Sequence, residues 1–126
     1  MKVMNPRMMS ETFAQVFNSR DINSLLALYE PEAALRVGPS ERTLTGGGLA
    51  DELGALLQAP GTMVLKTNFC IERDELALLR ADRAIMNSDG TIITSGSSTE
   101  IVRRQPDGSW LYVIDHAVGA SLPRIL

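Results

Sequence analysis

The sequence predicts an α+β domain, three N-terminal helices packed on a strongly curved antiparallel sheet, and three observations carry that prediction. Up to Pro60 the apolar residues recur at helical spacing. Beyond it they alternate, as on strands with one buried face. Turn signals at Asn87-Ser88-Asp89-Gly90 and Pro106-Asp107-Gly108 then fold the second half into hairpins. Helices followed by strands pack as a helical layer on one sheet face, and a chain of 126 residues makes one such domain, 1–126.

Met9, Phe13, Val16 and Phe17 form one stripe, so a first helix runs from Ser10 to about Arg20. Asp21 is placed to cap a second, because its carboxylate can accept from the free amides of the next turn. Ile22, Leu25, Leu26 and Tyr29 continue that helix at i, i+3, i+4 and i+7 until Pro31 stops it. Ala33 to Val37 is a short strand, and Gly38-Pro39-Ser40 a turn or loop. Leu49, Leu53, Leu56 and Leu57 define a third helix, broken at Ala59-Pro60-Gly61.

In the next strand Met63, Leu65, Phe69 and Ile71 fall on one face and Lys66, Asn68, Cys70 and Glu72 on the other. Strands over about Leu76 to Met86, Thr91 to Arg104 and Ser109 to Val118 complete the meander. On the last, Trp110, Tyr112, Ile114 and His116 point one way and Leu111, Val113, Asp115 and Ala117 the other. Both faces are largely apolar. A sheet covered on one side only should be polar on the other, so the outer face is expected to meet a second copy in a homodimer, or else to be covered by the chain's own loops or tail.

Composition narrows the function. With 44% apolar and 21% charged residues and no long apolar run, the chain reads as soluble, without a membrane span or a secretory leader, and cytoplasmic. Its net charge of −3 is spread along the chain with no basic block, which argues against nucleic-acid partners. One Cys and one His cannot form a disulfide or the usual zinc set, and no metal or cofactor is expected.

Two local patterns carry a family resemblance. One is Phe17-Asn18-Ser19-Arg20-Asp21 running into Ile22-Asn23-Ser24-Leu25-Leu26-Ala27-Leu28-Tyr29, followed by Pro31-Glu32-Ala33. The other is Asp107-Gly108-Ser109-Trp110 before an aliphatic strand ending Ile114-Asp115-His116. With the element order, they resemble the nuclear transport factor 2-like superfamily, which includes ketosteroid isomerases and the SnoaL-like and DUF4440-type proteins. The resemblance implies a cystatin-like cone with an apolar pocket for a small hydrophobic molecule. It also allows the steroid-isomerase set to be tested. The tyrosine position falls on Phe13, the base on Val37 and the aspartic acid donor near Thr99. Phenylalanine and valine can neither donate nor accept a proton, so that activity is not expected, and the resemblance implies these three residues as pocket lining.

Asp115 and His116 are the remaining catalytic candidates, since histidine titrates near neutrality and an aspartate could orient it. Neighbours on a regular strand point to opposite faces, so one of the two at most enters the pocket unless a bulge intervenes. Otherwise His116 is a strand-end residue satisfied by the backbone and Asp115 a polar residue at the dimer face. Arg36 could bind a substrate carboxylate or sit at the surface. Arg80, Asp82 and Arg83 read as an internal ion pair. Gly46-Gly47-Gly48 lacks the Lys-Ser/Thr of a phosphate loop and reads as a flexible helix entry, and Cys70 would need His116 as its base. The methionine-rich start reads as a helix on the cone rim or a lid. Two functions follow: a pocket binding a small hydrophobic molecule, or an isomerase, dehydratase or cyclase moving a proton through His116 or Asp115.

Overall fold

In the computed structural model, which describes residues 1–38 and 40–126, the helices lie against the concave face of a five-stranded sheet. Of the turn expected at Gly38-Pro39-Ser40, Pro39 lies outside the described residues. A single 3-10 turn, Pro6–Met8, leads into α1 (Met9–Ser19). The predicted stripe of Met9, Phe13, Val16 and Phe17 is buried. Arg20 closes α1 in the left-handed region at φ 62°. That conformation costs a non-glycine residue about 1 kcal/mol or more. Its guanidinium offsets the cost by lying 4.4 Å over the Phe17 ring and donating to the carbonyls of Leu57 (3.0 Å), Ala59 (2.6 Å) and Gly61.

Asp21 caps α2 (Ile22–Leu26) as expected, its Oδ1 accepting from the Asn23 amide at 3.0 Å. This helix is shorter than its apolar spacing suggests. Tyr29 belongs to β1 (Tyr29–Arg36), which also contains Pro31. Proline is tolerated there because β1 is an edge strand whose register slips between Tyr29 and Ala34. The three glycines expected before the third helix form the first turn of α3 (Gly46–Leu56). At the methionine-rich start Val3 is buried, its carbonyl accepting from the Trp110 amide at 2.8 Å.

Strands β2 (Thr62–Arg73), β3 (Leu76–Met86), β4 (Ile92–Arg104) and β5 (Trp110–His116) form the expected antiparallel meander. The spatial order is β1-β5-β4-β3-β2, and β1 runs parallel to β5, so the sheet is mixed. The whole of α3 and the meander separates the two, which is the long connection a parallel pair requires. In the two hairpin turns expected from the sequence only the glycine takes positive φ, 86° at Gly90 and 86° at Gly108, whereas in the β2–β3 turn Asp74 does, at 54°. Asp89 and Asp107 instead accept hydrogen bonds from Thr91 and Ser109.

Two bulges decide which residues face inward. The β2–β3 register skips Asn68 and the β4–β5 register skips Val113. Beyond Asn68 the faces exchange, so Ile71 is outward and 59% exposed, and Cys70, opposite the buried Leu79, packs inward. This reverses the faces expected for Phe69, Cys70 and Ile71. The inner face and helices share a core that includes Met9, Phe17, Leu25, Leu79 and Val102.

Both sheet edges are partly paired. Along β2, Asn18 bonds both the amide and the carbonyl of Met63 (2.9 and 3.0 Å), and Glu11 accepts from the Thr67 amide at 2.9 Å. Along β1, Leu35 and Leu44 exchange two backbone hydrogen bonds of 2.9 Å. The convex face carries one aliphatic row across four strands, Ile71–Leu78–Ile101–Ile114. The next row along is Phe69–Arg80–Thr99–His116, continued by Arg36 on β1.

Candidate functional site

A cavity of about 200 Å³ opens between α1, α3 and the inner sheet face. Its walls are mainly apolar, with Val37, Leu53, Leu56, Met63, Leu65 and Ile85 among them, and Phe13 stands beside Tyr112 edge-to-face at 6.0 Å. The polar groups come chiefly from neighbouring strands. Glu100 of β4 faces Asp115 of β5 directly across the ladder, so both carboxyls leave the sheet on the same side. Tyr29, at the start of β1, donates to Asp115 Oδ2 at 2.6 Å. The Val113 bulge allows Tyr112 and Asp115, three residues apart, both to point inward.

The two carboxyls are 4% and 9% exposed. Burial, and then the charge of Asp115, pushes Glu100 up to about 8, against its hydrogen bond from Ser98 and the charge of Arg83. Burial pushes Asp115 up to about 6, with the Tyr29 hydrogen bond and Arg83 pulling it back. Both carboxyls are thus raised as a pair, which favours one proton shared between them near neutrality. The Ser98 hydroxyl donates to Glu100, 2.7 and 2.8 Å from its two oxygens, and lies 3.4 Å from the Ala81 carbonyl. Burial raises both tyrosines well above the ordinary range, which keeps them neutral.

Arg83 is the cation of the cavity wall. Its Nη1 donates to the Ala117 carbonyl at 2.7 Å, and its Nη2 lies where a side chain at position 96 would start. Gly96 leaves that space open, a Cβ there being 2.7 Å from Nη2.

Of the residues expected at the site, Phe13, Val37 and Asp115 line the cavity, whereas Arg36, Thr99 and His116 do not. Strand alternation is the reason. Thr99 and Arg36 both stand opposite His116 in the register, on the convex face. Gly119 closes over them, so that a Cβ there would meet Thr99 Oγ1 and the His116 ring. His116 Nδ1 is buried without a partner among the described residues, and burial followed by the Arg36 charge lowers its pKa. It is therefore not satisfied by the backbone at that atom. Asp115 is not on the convex face, where the alternative reading had put it.

The expected internal ion pair is also corrected. Arg80 and Asp82 pair at 3.4 Å on the exposed side, where Asn68 and Ser97 also bond the carboxylate, while Arg83 turns into the cavity. Cys70 is on the opposite face from His116, and burial raises its thiol. Tyr29, Arg83, Ser98, Glu100 and Tyr112 escaped sequence reasoning. For Ser98 and Glu100 the adjacent aliphatic pair Ile101-Val102 leaves the inward phase open in the sequence.

No family model and no curated protein matches the sequence. Among solved structures, the chain is similar to a candidate association domain of calcium/calmodulin-dependent protein kinase type II from Thiobacillus denitrificans, with a TM-score of 0.76 and 19% identity over 92% of this chain and 95% of that one. It is similar to a candidate ketosteroid isomerase from Parabacteroides distasonis, with a TM-score of 0.69 and 18% identity over 89% and 86%. A candidate dehydratase of the NTF2-like family from Streptomyces avermitilis gives a TM-score of 0.68 and 17% identity over 84% and 86%. The chain has the nuclear transport factor 2-like fold.

Proposed function

We propose that this NTF2-like domain takes a small, mainly apolar molecule into its cavity and moves a proton on it, as an isomerase or dehydratase does, with Asp115 as base and Glu100 as acid. The observation that carries the reading is the cross-strand pair Glu100–Asp115, two buried carboxyls facing one apolar cavity and sharing one proton near neutrality. A pair of titratable groups whose environments set them apart is what acid and base roles need. The reaction class agrees with the names of two similar structures, and Phe13 and Val37 argue against the steroid-isomerase arrangement of donors.

The test is deuterium exchange from solvent into cyclic ketones and enones small enough for the cavity, followed by NMR. Asp115→Asn and Glu100→Gln should each slow exchange by about a hundredfold or more while the same compounds still raise the melting temperature. Binding without exchange in the parent protein would leave the cavity a binding pocket and remove the catalytic reading.

The same proposal has the chain working as a homodimer through the convex face. The row Ile71–Leu78–Ile101–Ile114 supports it, with Ile71, Leu78 and Ile114 exposed by 59%, 42% and 46%. A contiguous apolar stripe of this kind marks an association surface, and a self-complementary patch pairs two copies across a two-fold axis. A cytoplasmic setting belongs to this reading too. The half-buried Cys70 thiol, made less acidic by its surroundings, would stay reduced and unreactive there.

A further inference from the structure

We infer that Arg83 is the electrophilic residue of the site, holding the oxygen of a carbonyl substrate as that oxygen becomes an enolate. The inference deepens the proton-transfer reading and rests on it for the reaction, though not for its test. Three observations lead to it. First, among the described residues Arg83 has no carboxylate within ion-pair distance, and its side-chain hydrogen bond goes to the Ala117 carbonyl. A guanidinium has five donors, so one hydrogen bond leaves most of its capacity unused on a residue that lines the cavity. Second, Gly96 is the cradle that lets it lie across β4, since any side chain there would begin inside contact distance of Nη2. Third, its anchor at Ala117 is two residues beyond Asp115 on the same inner side, an advance of roughly 7 Å along the chain. That interval accommodates a carbon acid and its carbonyl between base and cation.

Of the other inward donors, Tyr29 gives its proton to Asp115 and Ser98 donates to Glu100, which leaves the Tyr112 hydroxyl as the donor to be separated from Arg83. The charge also balances. The Asp115 carboxylate removes a proton from the carbon next to the carbonyl, and the C–H electron pair becomes a C=C bond. The carbonyl π pair moves onto oxygen, so the negative charge leaves Asp115 as it arrives beside Arg83. Return of a proton from Asp115 or Glu100 to the ligand carbon restores the carbonyl, with no oxidant or reductant consumed. The one other acidic lining group, Glu52 of α3, takes no part in this exchange.

The experiment uses 4-nitrophenol, whose phenolate is a stable stand-in for an enolate oxygen and absorbs separately from the phenol. Titrated with the full-length protein across pH, it should bind ionised, with its transition displaced to lower pH by about one unit or more. Arg83→Gln should abolish the displacement. Gly96→Ala should do the same with the arginine still present, because the new methyl group moves the guanidinium aside without altering the backbone. Nitrophenol bound as the neutral phenol, ionised equally in both variants, ionised only while Tyr112 is intact, or not bound at all would each overturn the inference. None of these readings depends on turnover, so a protein that ionises the phenol without exchanging ketones would sink the reaction and leave Arg83 as the oxyanion site.

Discussion

The concave and convex faces of this sheet are built by alternate residues of the same strands, yet they carry different kinds of chemistry. On β4, Ser98 and Glu100 turn inward to the cavity while Thr99 and Ile101 turn outward. On β5, Asp115 turns inward while Ile114 and His116 turn outward. Inside, carboxyls are buried at high electrostatic cost around a small space. Outside, aliphatic side chains stand in a continuous row across four strands. One residue of register separates the buried carboxyl pair from the exposed aliphatic row, and single-residue bulges set that register.

The comparison breaks most visibly on the outer face. Ile101→Lys places a charge in the middle of the aliphatic row, and if the proposed dimer forms, sedimentation should report the parent protein as a dimer and the variant as a monomer. A parent protein that is already monomeric would show that the outer row is not an interface. The inner face has a pH signature. Glu100 and Asp115 are both raised in the folded chain, so the folded state holds more protons than the unfolded one and stability falls as pH rises. The loss should begin near the ordinary carboxylate range and run through about 8, amounting to several kcal/mol. Chemical denaturation at a series of pH values checks it, and Glu100→Gln should flatten the curve.

A smaller change is expected from Tyr29→Phe. It removes one hydrogen bond, at a cost of about 1 kcal/mol, and takes away a group that favours the ionised Asp115. The acidic limb of the exchange rate should therefore move to higher pH, as a pH–rate profile would show. The smallest effect is assigned to His116→Ala, which should leave the exchange rate unchanged. A large loss there would bring the convex face into the chemistry and remove the contrast between the two sides.

Much of the fold is legible in the sequence because local physics specifies it: the Asp21 cap, the stripe of α1, the glycine turns and the change of period near Pro60. The site is less so. Ile101 and Val102 are both aliphatic, so the pattern does not say whether Thr99 or Glu100 turns inward. The extra residues at Asn68 and Val113 carry no compositional mark, yet each reverses the faces beyond it. Tyr29 continues the helical spacing of Leu25 and Leu26 but is drawn into the sheet by pairing with β5, a contact remote in sequence.

The two paired edges bear on solubility. An open strand edge is a template on which another chain can add, and continued addition leads to fibres. Here the β2 edge gives its Met63 and Thr67 amides to side chains of α1, and the β1 edge is occupied at Leu35 and interrupted by Pro31. Growth of the sheet sideways is obstructed at both ends. A closed face-to-face pair is then the form of self-association that the molecule leaves open.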